Sequence, residues 1–474
     1  MSGGSLMEVY NSKRVWRMCL VASLGSFTLG YNLGVINSTL GVIAVVFDWG
    51  DNKHILTAIM AGMTPLASMI TAIISPRISD KIGRKKGLMV GSLISMAGAV
   101  VTGIPFTITF GLGRFITGLS VGVYASLIPL YLNEVSPIKM RGKMGVLVQS
   151  QVTIGIVVAY ILSLALPTGD YKSNPLTYWW IVMYLFQGFV TLFQFLMFLF
   201  IYKLETPTWL QNKNLKYEAL QSLRQVYEEE TAQEMLLDLD MSTSVDIEST
   251  SSIDSEITYI PSYSDLLLCK NNTGRLMRIG IAVSFLQQLV GFGSIMSFST
   301  HIFGVLGGGV FMARVYTLIL GIINMLSALS AIYVITRFGR KTLMVFGCAM
   351  VAICQFASGL LAGPLSGLSI LISLAFIIVF LVSFSVSIGS LCWLYTGEIM
   401  TSRGMSICAG SNRLFNTVSM VSFPLLDHAF GIAVVFWIYA GIGVFGFIYC
   451  MLDMIETKGL SKQEIQKLLM RKSV

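Results

Sequence analysis

Residues 281–302 read IAVSFLQQLVGFGSIMSFSTHI, an apolar run long enough to cross a bilayer as a helix, with two adjacent amides, Gln287 and Gln288, near its middle. In hydrocarbon, a polar group without a partner is costly to bury. The amides therefore point into a wettable cavity lined by protein, and the rest of the chain has to build that cavity.

Composition agrees. Of 474 residues 54% are hydrophobic and only 12% charged, and the mean hydropathy is +0.75, which places the chain among polytopic membrane proteins. Candidate spans fall at about 15–36, 55–75, 87–108, 112–132, 145–166, 179–202, 276–300, 313–335, 342–363, 367–395, 406–426 and 431–452. The fold class is thus an all-α membrane protein of twelve transmembrane helices. The runs are too long and continuous for the alternating strands of a β-barrel.

The net charge of +8 does not point to nucleic acid, because of where the cations lie. On the twelve-span reading, all Lys and Arg except Lys53, Arg114, Lys172, Arg314 and Arg413 fall on one side, which the positive-inside rule makes cytoplasmic. Both termini and the long central loop are expected there, in the plasma membrane. The first apolar run is long and lacks a processing site, so it reads as a span and not a signal peptide. Seven cysteines without regular spacing read as buried thiols, and no metal or nucleophile constellation appears. No cofactor is expected and the protein is not read as an enzyme.

An internal repeat is visible in the charges. Ser79–Lys86, SDKIGRKK, is echoed by Arg337–Lys341, RFGRK; Glu134 is echoed by Glu398, and Leu204-Glu205-Thr206 by Ile455-Glu456-Thr457. Two six-helix halves follow as a parallel repeat. The expected division is an N-terminus 1–14, a first half 15–202, a central loop 203–274, a second half 275–452 and a tail 453–474. Within the loop, residues 225–269 hold acidic residues and no Lys or Arg, with a Ser/Thr-rich core MSTSVDIESTSSIDS (241–255), read as a solvated linker that cannot fold alone.

These residues carry a family resemblance over essentially the whole chain. Gly113–Gly142, GRFITGLSVGVYASLIPLYLNEVSPIKMRG, is similar to the fourth helix and following turn of the sugar porters of the major facilitator superfamily. GYNLGVIN (30–37), DKIGRKK (80–86), QQLVG (287–291), WLYTGE (393–398) and ETKGL (456–460) follow in the same order. The resemblance implies the major facilitator fold, two pseudo-symmetric halves working by alternating access, and a sugar bound between them. Uncharged amides suit a polyol, because each donates and accepts hydrogen bonds as a hydroxyl does.

By that resemblance the substrate-binding residues are Gln149, Gln287, Gln288, Asn324, Trp393 and Asn412, with Asn416 one turn beyond Asn412. The chain departs from the family at four places in its second half. Gly293 replaces an asparagine, Ser297-Phe298 an aromatic pair, and SIGSLCW (387–393) keeps only Gly389 as a flex point where prolines are usual. Arg413 stands where a tryptophan is common. An arginine inside a span is a functional-site candidate, either for an anionic substrate or as a tie held by Glu398 or backbone carbonyls. Arg84, Glu134, Arg141, Arg340, Glu398 and Arg403 are expected to form cytoplasmic ion pairs that bridge the two halves and hold that side shut in the outward-facing state, breaking when it opens inward, each worth under about 1 kcal/mol alone.

Proton-coupled sugar porters generally carry an acid where this chain has Asn32, paired with the arginine corresponding to Arg114, and an amide cannot release a proton. The leading expectation is a facilitative hexose carrier, such as a glucose uniporter, with sugar and lipid bilayer as partners and a functional monomer. Competing readings are a proton-coupled or sugar-acid carrier of the same fold, and a transporter-like sugar sensor. Sensors usually have a long signalling tail, which about twenty residues after the last span do not provide.

Overall fold

Apolar runs that must satisfy their own backbone in lipid close into helices, and the computed structural model builds the chain from them. It describes residues 10–169, 171, 172, 174–237, 274–307, 309–362, 367–400, 402–460, 464, 465 and 468. The Ser/Thr-rich segment 241–255 lies outside the described residues. Among those described, extended pairing is limited to one bridge, Tyr10 to Tyr227.

The first half comprises α1 (Ser12–Val46), α2 (Lys53–Ile82), α3 (Arg84–Thr102), α4 (Thr107–Val135), α5 (Ile138–Ser163) and α6 (Trp179–Phe200), followed by the short α7 (Pro207–Asn212) and α8 (Lys216–Arg224). In the second half one span is split into α9 (Gly274–Leu289) and α10 (Phe292–Val305). Then come α11 (Val310–Arg337), α12 (Arg340–Leu360), and a span made of α13 (Gly367–Phe384), a π-helical turn Ser385–Gly389 and α14 (Ser390–Ile399). The chain closes with α15 (Ser402–Phe430) and α16 (Ile432–Leu452).

Ten helical stretches among the described residues are long and apolar enough to cross a membrane. Two further candidates from the sequence, α3 and α15, fall short of that measure for identifiable reasons. Three cations open α3, and α15 carries Asn412, Arg413, Asn416 and Asp427. Their packing is that of spans all the same: α3 lies along α4 and α6, and α15 lies along α2 and α9. Elsewhere large apolar side chains such as Phe189, Phe346 and Phe445 stand exposed, a surface suited to lipid and not to water.

Close helix approach comes from small residues, as packing in lipid requires. The α1–α5 contact is the tightest case. A Cβ on Gly30 would lie 1.8 Å from the Val152 carbonyl oxygen, and one on Gly155 2.1 Å from that of Phe27. The two halves meet along α2–α15, α5–α11 and α1–α10.

Candidate substrate site and gates

The glutamine pair ends α9 because Gly291 breaks the span immediately afterwards. Gly291 has φ +89°, and a Cβ there would lie 2.3 Å from the Tyr439 ring, so backbone conformation and close approach both demand glycine. Gln288 Nε2 donates to Asn412 Oδ1 at 2.9 Å, and Gln288 Oε1 accepts from Asn416 Nδ2 at 2.6 Å. Asn412 Nδ2 donates to Gln287 Oε1, and Gln287 Nε2 donates to the Gly389 carbonyl at 2.9 Å. That carbonyl belongs to the π turn, a geometry that loosens the helical ladder and often marks functional sites. The span thus keeps an irregular segment without prolines. Ser385, in the same turn, donates to Asn324 Oδ1 at 3.1 Å.

Five amides from α9, α11 and α15 therefore converge on the π turn, buried and satisfied chiefly by one another. A polyol can enter by exchanging hydroxyls for these amide partners one for one. Gly293 belongs to the same packing. A Cβ there would come within 2.8 Å of Met420 and 3.3 Å of Asn416 Nδ2, so the space of the missing asparagine side chain is taken by Met420 and Asn416.

Not every candidate joins the cluster. Gln149 is exposed on α5, outside the amide network. Trp393 is half-buried on α14 with no ring partner among the described residues. Arg413 lies on α15 between two faces of that helix. Asn412, Asn416 and Ser419 turn toward α9 and α10, and Gly410 and Thr417 turn toward Ile73 and Gly62 of α2. The tie to Glu398 raised as one option for Arg413 is absent, because Glu398 is bound elsewhere.

On the face bearing both ends of the described chain, the charged residues form two matching clusters. Arg84 Nε donates to Glu134 Oε1 at 3.0 Å, and Thr206 donates to the other Glu134 oxygen. In the second half Arg340 NH2 donates to Glu398 Oε1 at 3.1 Å, and Thr457 to the other oxygen. Glu205 accepts from the amides of Lys85 and Lys86 at 2.8 and 2.9 Å; Glu456 accepts from those of Arg340 and Lys341 at 2.7 and 3.1 Å. Each carboxylate caps orphan amides at a helix start, where the dipole favours negative charge. In this structure both ion pairs, Arg84 with Glu134 and Arg340 with Glu398, form within a half. Burial of Arg84 and Glu134 together, and the cap geometry, favour the local partner. The side chains of Arg141 and Arg403 lie outside the described residues.

The opposite face is where the halves are tied. Asn37 Nδ2 donates to the Met296 carbonyl and to Ser299 Oγ, both at 2.6 Å, and its Oδ1 accepts from the Thr300 amide at 3.0 Å. Tyr160 donates to the same Met296 carbonyl, and Arg314 donates to the carbonyls of Leu166 and Pro167. His54 of α2 stacks on His428 of α15 with centroids 3.7 Å apart. Asn37 was not among the expected site residues. Its place in GYNLGVIN, on a helix of small residues, was the available signal. This face is joined across the halves, whereas the ion pairs of the other face are local.

Behind the cavity wall, Arg114 is buried on α4 and its NH1 donates to Asn32 Oδ1 at 3.1 Å; the Asn32 amide donates in turn to the Thr28 carbonyl. The expected pairing of these positions is present, with an amide in place of an acid. No group of three or more His, Cys, Asp or Glu among the described residues could hold a metal ion.

The family model "Sugar (and other) transporter" matches residues 18–469. The arabinose-proton symporter of Bacillus subtilis is 29% identical over 460 residues, covering 94% of this chain and 93% of that protein. Hexose transporter 1 of Plasmodium vivax is 28% identical, covering 93% and 90% respectively. Among solved structures, the inward-open xylose transporter XylE from E. coli superimposes with a TM-score of 0.80 at 22% identity, covering 96% of this chain and 99% of that one. That match shows the fold, an all-α major facilitator arrangement. A chain that spans the family model almost end to end, and folds as its members do, belongs to the sugar transporter family.

Proposed function

We propose that this protein is a facilitative carrier of hexose sugars that works by alternating access between its two halves. One observation carries the choice of uniport over proton coupling: the buried Arg114 faces the amide of Asn32 and no carboxylate. Relatives include proteins named as proton symporters and as hexose transporters, so relationship alone does not choose between them. Proton coupling requires a group that gains and loses a proton as the cavity switches sides, and an amide does not do so at physiological pH.

The sugar binds at Gln287, Gln288, Asn324 and Asn412, with Gln149 approaching from α5 and Trp393 stacking on an apolar sugar face. The face that carries the chain ends lies in the cytoplasm of a plasma-membrane protein, on the strength of the Lys/Arg asymmetry. The carrier works as a monomer, since one chain contains both halves of the cavity. The contacts that tie the halves on the Asn37 side and the local ion pairs on the other side support a cavity that opens to the cytoplasm in this state. On closure there, the charged clusters of the two halves approach each other and form a latch.

Uptake of labelled glucose into proteoliposomes by wild type and Gln288→Ala tests the reading. Saturable wild-type uptake that the substitution weakens is expected; no wild-type uptake of glucose or of any other hexose would overturn it.

A further inference from the structure

Arg413 sits inside a span, one residue from Asn412 and three from Asn416 of the amide cluster. The exposed stripe of α15 runs through Leu414, Val418 and Leu425. Arg413 is off that stripe, between the face that meets α9 and the face that meets α2, so its side chain is directed inward to the gap between the halves. Helical side chains lean toward the N-terminus of their helix, which carries the guanidinium to the open end of the amide cluster.

Among the described residues no hydrogen bond or ion pair holds that guanidinium. The acids that a structural tie would use are committed. Glu398 accepts from Arg340 and Thr457, Glu134 from Arg84 and Thr206, and Asp427 is paired with His301 at 2.8 Å. A cation in a span normally faces a cavity and finds a partner there. Five donors in a planar fork suit a carboxylate or a phosphate.

We propose that the cavity takes a monosaccharide bearing one acidic group, its hydroxyls on the amides of Gln288, Asn412 and Asn324 and its anion on Arg413. This rests on the hexose-carrier reading and narrows its substrate class.

The test uses the full-length protein in proteoliposomes at neutral pH with the membrane potential clamped at zero. Uptake of labelled glucose, glucuronate and glucose 6-phosphate is compared for wild type, Arg413→Gln, Arg413→Lys and Gln288→Ala. Wild type is expected to prefer one of the two acids over glucose by about tenfold or more, the worth of a charge-assisted hydrogen bond. Which acid is preferred distinguishes a carboxylate from a phosphate. Arg413→Gln should lose that preference and keep glucose uptake, and Arg413→Lys should keep part of it. Wild-type preference for glucose over both acids overturns the proposal, as does an acid preference unchanged in Arg413→Gln. Should Arg413→Gln move nothing, Arg413→Lys decides: retained acid preference supports the proposal, and glucose uptake without it overturns it. Glucose uptake that depends on Gln288 while both acids are refused overturns the anion inference alone; uptake of none of the three overturns the hexose reading with it.

Discussion

Gln288 gives and takes one amide hydrogen bond on each side, to Asn412 and from Asn416. Truncation to alanine leaves both asparagines short of a buried partner, at about 0.5–1.5 kcal/mol per bond. Gln288→Ala should therefore raise the KM for sugar about tenfold, with a smaller change in maximal rate, measured as initial uptake over a concentration series. Asn32 supports a sharper exchange. Asn32→Asp sets a carboxylate against Arg114, which now has an amide oxygen at 3.1 Å. Sugar uptake by that variant should acquire a dependence on an imposed pH gradient that wild type lacks. At this scale the sequence was informative about residue types, and Gln287, Gln288, Asn324 and Asn412 do converge. It was uninformative about Gly293, whose meaning depends on Met420 and Asn416 filling the space above it. It was also silent on whether Glu398 would choose Arg340 or Arg413, a matter of distance.

At the scale of elements, the irregular segments lie where the cavity is. Gly291 splits one span and the π turn Ser385–Gly389 interrupts another. The first was legible, because glycine follows the glutamine pair directly. The second was half legible: Gly389 marked a weak point, but a π turn follows from packing of Ser387 against Gly347 and from the Gln287 bond, none of it encoded locally. Gly291→Ala should abolish transport and lower the melting temperature in detergent, since the strained φ and the Tyr439 ring both oppose a side chain. The contact between α1 and α10 makes a separate prediction. Ser297 is fully buried behind the Asn37 clamp. A cysteine at 297 should react with a membrane-impermeant maleimide from the Asn37 side about tenfold faster in an Asn37→Ala background, because the three clamp hydrogen bonds of Asn37 to the second half are lost.

For the whole molecule, the repeat read from charge spacing is reproduced in the side-chain partners, with the capped amides offset by one residue. Arg84, Glu134, Thr206 and Glu205 in one half correspond to Arg340, Glu398, Thr457 and Glu456 in the other. The pairing inside each half was available in principle, since Arg84 and Glu134 are 50 residues apart and Arg340 and Glu398 are 58 apart. Within a half these clusters fix helix starts, so Glu205→Gln and Glu456→Gln should each lower stability by about 1 kcal/mol, read as comparable drops in melting temperature. On the proposed carrier reading, what alternates between states is the relation of the two halves, and a ligand shifts that equilibrium only by its differential affinity for the two states.

The most direct test of downhill carriage is therefore the steady-state ratio of labelled hexose inside and outside proteoliposomes, with a pH gradient imposed and the membrane potential held at zero. A carrier with Asn32 opposite Arg114 should bring the ratio to unity and hold it there whichever way the gradient points. Accumulation well above unity on the alkaline side would contradict the account.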